Sequence, residues 1–172
     1  MVQPRQIVYP MRYLIPWVSG NAQSERTFIA QSSERLGGAH ILPLGRARTG
    51  LYLLVKSALT DRRRRVLMSP LTIADVVNMV KFAGGEPVFV DCLPDSTNVD
   101  VDHLRALIDD SAACVLLTHY CVTQNRTQEI VGLCHSHGVK VFEDCAVALG
   151  ATLDGQPVGT FGDASVFSLS GF

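Results

Sequence analysis

Short apolar runs recur along this chain, and between them the apolar residues switch to a helical spacing. Val66-Leu67-Met68, Val88-Phe89-Val90, Ala113–Leu117, Val139–Phe142 and Ala164–Phe167 are too short for buried helices, and they read as strands. The stretches between them carry Leu51, Leu54, Val55 and Ala58, then Ile73, Val76, Val77 and Val80, then Leu104, Leu107 and Ile108, and finally Ile130, Val131 and Cys134. Residues three or four apart share one helix face, so each stretch reads as a helix with a buried stripe. Strands that alternate with helices and are apolar on both faces belong to a sheet covered on both sides. The expected fold class is α/β, three-layer, with a mostly parallel sheet and helices on both faces.

Local signals place the element ends. Gly84-Gly85 closes the second of these helices. Asp91–Asn98 is turn chemistry, and Asp100 is a suitable N-cap. Ser24–Leu36 reads as a polar helix stopped by Gly37-Gly38. Residues 1–40 otherwise show no steady period, so the predicted organisation is an N-terminal extension (1–40) and one α/β unit (41–172). The basic run Arg62–Arg65 reads as a turn at a helix C-terminus, where the dipole favours cations, in preference to a phosphate or nucleic-acid contact.

Composition narrows the function classes. The 172 residues are 47% apolar and 18% charged, enough for a sizeable core in one domain or a large piece of one. Fifteen basic and sixteen acidic side chains give a net charge of −1, which offers no nucleic-acid footprint. No apolar run reaches the ~18 residues that span a bilayer, so no membrane segment is expected. Met1–Gly20 lacks the basic-then-apolar order of a signal peptide. Cys92, Cys114, Cys121, Cys134 and Cys145 are odd in number and read as reduced thiols of a cytoplasmic protein. Cys134, His135 and His137 have no second ligand pair at finger spacing, so no metal site is expected.

Open α/β sheets bind ligands beyond the C-terminal ends of their strands. Three segments fall at such places or at helix starts. Gly45–Gly50 opens the first helix of the α/β unit, where unpaired N–H groups and the dipole favour an anion. Thr49 could serve there as a phosphate ligand or simply as an N-cap, and the segment alone leaves both open. Leu51 and Tyr52 stand where a P-loop needs Lys and Ser or Thr. Glu143 and Asp144 end an apolar strand, where a carboxylate is costly to bury without a partner. That partner could be a protonated ring nitrogen or a metal, or Asp144 could cap a helix. Gly162–Phe172 supplies small and hydroxyl residues that suit a phosphate pocket, although Ser and Gly are ordinary loop residues too.

In this order and spacing the three segments resemble the DegT/DnrJ/EryC1/StrS family of pyridoxal-phosphate (PLP) sugar aminotransferases. The resemblance covers roughly residues 41–172. It extends through Gly84-Gly85-Glu86-Pro87-Val88-Phe89-Val90-Asp91, Thr118-His119-Tyr120, His137–Asp144, Gly150-Ala151, Gly155–Asp163 and Phe167-Ser168. It implies the large domain of PLP-transferase fold type I, incomplete here, with PLP as cofactor. By position, it places Arg48 and Thr49 at the cofactor phosphate, Asp144 at the pyridine nitrogen, Ala146 against a ring face and Ser168 at the phosphate. His119 would lie near the substrate. The implied reaction moves an amino group from glutamate or a similar donor to a nucleotide-linked keto-sugar, in a homodimer.

The departures from the family are as informative as the matches. Arg48 replaces the family's Gly. Ile73 replaces the aromatic ring that stacks on the cofactor, and Val147 replaces a Gln that donates a hydrogen bond. The lysine that forms the covalent cofactor link, and that moves the substrate proton, would fall immediately after Phe172, so no catalytic residue is assigned within the chain. Lys56, Lys81 and Lys140 read as ordinary surface lysines. The sequence therefore reads as the N-terminal part of such an enzyme, expected to be inactive alone. A dehydratase or a silent regulator of the same fold stays open, as does a non-enzymatic phosphate- or nucleotide-binding module.

Overall fold

The structure, a computed structural model, describes residues 22–120, 124 and 126–169. The chain divides into two compact units at Pro43/Leu44. In the first, α1 (Ala22–Arg35) ends at Gly37 and Gly38, whose φ angles of 68° and 88° are left-handed. Those glycines stop the helix where the sequence places its end.

The second unit begins with α2 (Ala47–Ala58) and continues through β1 (Arg65–Met68), α3 (Ala74–Ala83), β2 (Glu86–Phe89) and α4 (Val101–Leu107). It then runs through β3 (Ala112–Thr118), α5 (Thr127–Ser136), β4 (Lys140–Cys145), the short pair β5 (Thr152–Leu153) and β6 (Gln156–Pro157), and β7 (Ala164–Phe167). The main sheet has the order β2-β1-β3-β4-β7, and every pairing in it is parallel.

Alternate strand residues point to opposite faces, which gives the sheet two cores. On one face Leu67, Val115, Leu117 and Val141 pack with Val101 and Leu104 of α4 and with Ile130 and Cys134 of α5. On the other, Val66, Met68, Cys114, Leu116, Phe142 and Val166 pack with Leu51 and Val55 of α2 and with Val76, Val80 and Ala83 of α3. Every residue of β3 is buried, as a central strand covered on both sides requires.

Several elements differ from the sequence reading for identifiable reasons. β2 includes Pro87, because an edge strand tolerates a missing N–H. β4 continues through Glu143 and Asp144, whose carboxylates find hydrogen bonds inside the fold. The β5–β6 hairpin is additional. Its two-residue turn, Asp154-Gly155, has positive φ at both positions (50° and 81°), the geometry that matches strand twist. Asp100 caps α4 as expected, accepting the N–H groups of Asp102 and His103.

The basic run meets helix ends, though not as a solvated turn at the end of its own helix. Arg63 Nη1 donates to the Gly138 carbonyl beyond α5 (2.6 Å), and Arg64 Nη2 to the Gly84 carbonyl beyond α3 (2.6 Å). Arg65 Nη1 donates to the Leu107 carbonyl ending α4 (3.2 Å) and pairs with Asp109 (2.5 Å). Consecutive side chains thus meet the negative ends of separate helices.

Candidate functional site

The C-terminal ends of β1, β3, β4 and β7 and the start of α2 lie at one edge of the sheet. α2 has Arg46 as its N-cap residue, in an extended conformation and without a side-chain cap bond. Thr49 is therefore not the N-cap. It sits in the third helical position, and its N–H donates to the Arg46 carbonyl (3.1 Å). The Arg48 guanidinium pairs with Asp75 in the first turn of α3, and both side chains are part-exposed.

Gly50 brings the first turn of α2 close to β7. A Cβ there would lie 3.0 Å from a Val166 methyl, tighter than ordinary packing. Val166 is the register partner of Asp144, and register partners in a parallel sheet point to the same face. Asp144 thus faces the layer that contains α2, one strand spacing from the residue that touches it. Burial pushes the Asp144 carboxyl up, while the Ala146 N–H, donated to Oδ1 at 3.1 Å, and the His119 ring pull the other way; the balance is upward. Thr118, its register partner on β3, is buried and its hydroxyl has no partner among the described residues. Ala146 and Ser168 are half-buried and follow the register pair Cys145–Phe167 at the same edge. Thr49, Asp144, Ala146 and Ser168 are accordingly brought to one end of the sheet. A buried carboxylate and an orphaned hydroxyl beside a helix N-terminus fit a ligand with a basic ring nitrogen and an anionic group, as PLP has.

His119 is placed elsewhere. Its ring is wholly buried beside Glu143, on the face opposite Asp144. Nδ1 accepts the Gln124 N–H (3.3 Å), so Nε2–H donates to Glu143 Oε2 (2.9 Å). The same Oε2 accepts the Gly159 N–H (2.9 Å), and Oε1 accepts the N–H groups of Phe161 and Gly162 (2.8 Å each). Burial raises the Glu143 carboxyl, but the bonds from His119, Gly162 and Gly159 outweigh it and hold the group below its ordinary range. Gln124, itself buried, binds the carbonyls of Thr97 and Thr118 through Nε2 and the Val99 N–H through Oε1. Sequence reading did not single out Gln124. A polar residue shortly after a strand end was its only signal.

His119, Glu143 and Cys145 bring potential metal-ligand atoms within 4.8 Å of one another. The His and Glu atoms are already engaged, and burial with the nearby carboxylates of Glu143 and Asp144 drives the Cys145 thiol far upward, away from thiolate. Cys134 lies in the core, whereas His135 turns to Asp163 (3.0 Å) and His137 to the Leu133 carbonyl. Those three do not converge. Cys92, Cys114, Cys134 and Cys145 are free thiols, while Cys121 lies outside the described residues, as do the last residues of the third segment, Ser170–Phe172.

Ile73, the N-cap of α3, is 61% exposed, and Val147 is 41% exposed beyond β4. Lys140 begins β4 and Asp144 lies four residues on, about 13 Å along the strand. Lys56 Nζ donates to the Ala83 carbonyl at the end of α3, and Lys81 is exposed near the same end. Among the described residues, no helix is long and apolar enough to cross a membrane.

Known proteins agree with this architecture. GDP-perosamine synthase of Vibrio cholerae is 29% identical over 155 residues, covering 90% of this chain and 42% of that protein. The dTDP-4-dehydro-2,3,6-trideoxy-D-glucose 4-aminotransferase of Saccharopolyspora spinosa is 27% identical, covering 88% and 40%. The chain thus spans less than half the length of these relatives. Among solved structures, Helicobacter pylori PseC, an aminotransferase of pseudoaminic acid biosynthesis, superposes with a TM-score of 0.84 over all of this chain and 47% of its own, at 22% identity. AtS13 from Actinomadura melliaura gives 0.81 over 99% and 50%, at 26% identity. The fold is that of the PLP-dependent aminotransferases of fold type I. With the family's sequence pattern matching residues 16–171, the chain belongs to the DegT/DnrJ/EryC1/StrS aminotransferase family.

Proposed function

We propose that the protein is a PLP-dependent sugar aminotransferase that takes an amino group from glutamate and delivers it to a nucleotide-linked keto-sugar. We further propose that it works as a cytoplasmic homodimer, with residues 41–172 forming part of its large domain. The observation that carries the reading is the shared face of Asp144 and the first turn of α2, linked through Val166. A helix N-terminus suits a phosphate and a buried carboxylate suits a protonated ring nitrogen.

Bound at this edge, PLP supplies an electron-accepting ring. The N–H groups of the first α2 turn and the Thr49 hydroxyl bind its phosphate, with Ser168 as a further donor. Asp144 keeps the ring nitrogen protonated. Ala146 is small enough to admit the ring face. His119 supports the site from behind through Glu143, which pins the Gly159–Gly162 loop to β4.

Titration with PLP, followed by absorbance, tests the assignment. Asp144→Asn should weaken the spectral change strongly, whereas Lys56→Ala, on the opposite end of α2, should leave it unchanged. Equal effects would remove the cofactor from Asp144. Tight binding of ATP or NAD with no PLP response would instead mark a nucleotide-binding module. Val147 cannot donate a hydrogen bond where the family has Gln, which supports a second reading as a sugar dehydratase or a silent regulator. In a full-length version that carries the lysine expected after Phe172, product analysis with a keto-sugar and an amino donor separates these from transfer.

A further inference from the structure

Two buried hydroxyls, those of Thr97 and Thr118, find no partner among the described residues, and Thr118 is the one that lies at the end of the sheet beside Asp144. Thr118 is only 6% exposed, and its Oγ1 finds no partner among the described residues. A buried hydroxyl without a hydrogen bond is destabilising. Valine has the same shape and would pack without that cost, so packing alone does not account for threonine here.

The residue stands where a donor is wanted. Thr118 and Asp144 are register partners on β3 and β4, so their side chains leave the sheet on the same face, about 5 Å apart at the backbone. Asp144 Oδ1 accepts the Ala146 N–H, and its other oxygen accepts no bond among the described residues. The remaining surroundings offer little. Glu143, Cys145 and His119 lie toward the opposite face, Val166 comes from β7, and α2 presents Gly50 and Leu51 to this layer. An orphan donor therefore sits level with a half-satisfied acceptor.

We propose that Thr118 is a positioning residue for Asp144: as the carboxyl ionises, Thr118 Oγ1–H donates to its open oxygen, fixing the carboxylate in orientation and charge. A χ1 move between staggered wells brings the hydroxyl to the carboxylate. Threonine at this position then offsets part of what burial does to Asp144, because a hydrogen bond to the charged form favours that form. The role in cofactor binding rests on the PLP reading above, whereas the Thr118–Asp144 bond itself does not.

The test follows the side-chain carboxyl 13C shift of Asp144 through a pH titration of the free protein. It compares wild type, Thr118→Val and Thr118→Ser, with Thr118→Ala as a second variant lacking the hydroxyl should valine fail to fold. The midpoint should rise in the valine and alanine variants and return toward wild type in serine. PLP affinity at fixed pH should fall about two- to tenfold in valine, the worth of one hydrogen bond, and be retained in serine. Identical midpoints in all variants would overturn the proposal, even if PLP binds and Asp144→Asn abolishes binding. A shifted midpoint in a protein that never binds PLP would uphold the Thr118–Asp144 bond and defeat the cofactor reading instead.

Discussion

Glu143 is fully buried without a cation that is charged by default, and four donors account for it. Replacing it by glutamine puts an NH2 group against N–H donors, which should lower the unfolding free energy by about 2–4 kcal/mol in urea titration. The sign of the pH dependence follows from its lowered value. Its contribution is present above the ordinary 4.5 and is lost as pH falls through the folded value, so the gap between wild type and Glu143→Gln should close in acid. Asp144 works in the opposite direction. Its raised value makes the folded state bind a proton more readily, so its ionisation costs stability above the folded value and that cost fades as pH falls toward 3.8. The sequence showed these two carboxylates as a pair at a strand end, and strand alternation separates their roles. It could not show the loop N–H groups that hold Glu143, because those arrive from residues 159–162, beyond a hairpin. Nor could it show that α2 starts at Ala47, which moves Thr49 from cap to first turn.

At the scale of elements, the contacts between strands and loops are as tight as those within the cores. A Cβ on Gly162 would meet the Val141 carbonyl oxygen at 2.5 Å, so Gly162→Ala forces the loop away from β4. It should destabilise the fold by about 1–3 kcal/mol, read from the denaturant midpoint, and loosen the Glu143 bonds in the same step. The strands and helices of the α/β unit were legible because both faces of the sheet are covered, which leaves uninterrupted apolar runs. The β5–β6 hairpin was legible in principle from Asp154-Gly155, but its strands are only two residues long and carry no period. Pro87 hid the start of β2, since proline argues against a strand until the strand is known to lie at an edge.

For the whole molecule, the exposed apolar residues of the α/β unit include Leu71, Tyr120, Val147 and Leu169, each within three residues of the end of a strand, and Ile73 at the N-cap of α3. They surround the edge at which the site is proposed. A ligand that binds only the folded state stabilises it by mass action, by about 2.7 kcal/mol at a hundredfold excess over its dissociation constant. Thermal unfolding with saturating PLP should therefore shift upward by several degrees in wild type and hardly at all in Asp144→Asn. Residue spacing revealed the layers, and the ordered motifs revealed which edge carries chemistry. What neither could convey is how the layers are fastened at the far edge. There, two arginines of the loop between α2 and β1, together with the first residue of β1, grip three crossover helices by their tails. A nick in that loop would remove an anchor from several helix ends at once, so amide exchange at the C-terminal turns of α3, α4 and α5 should quicken together while their core-facing turns stay protected.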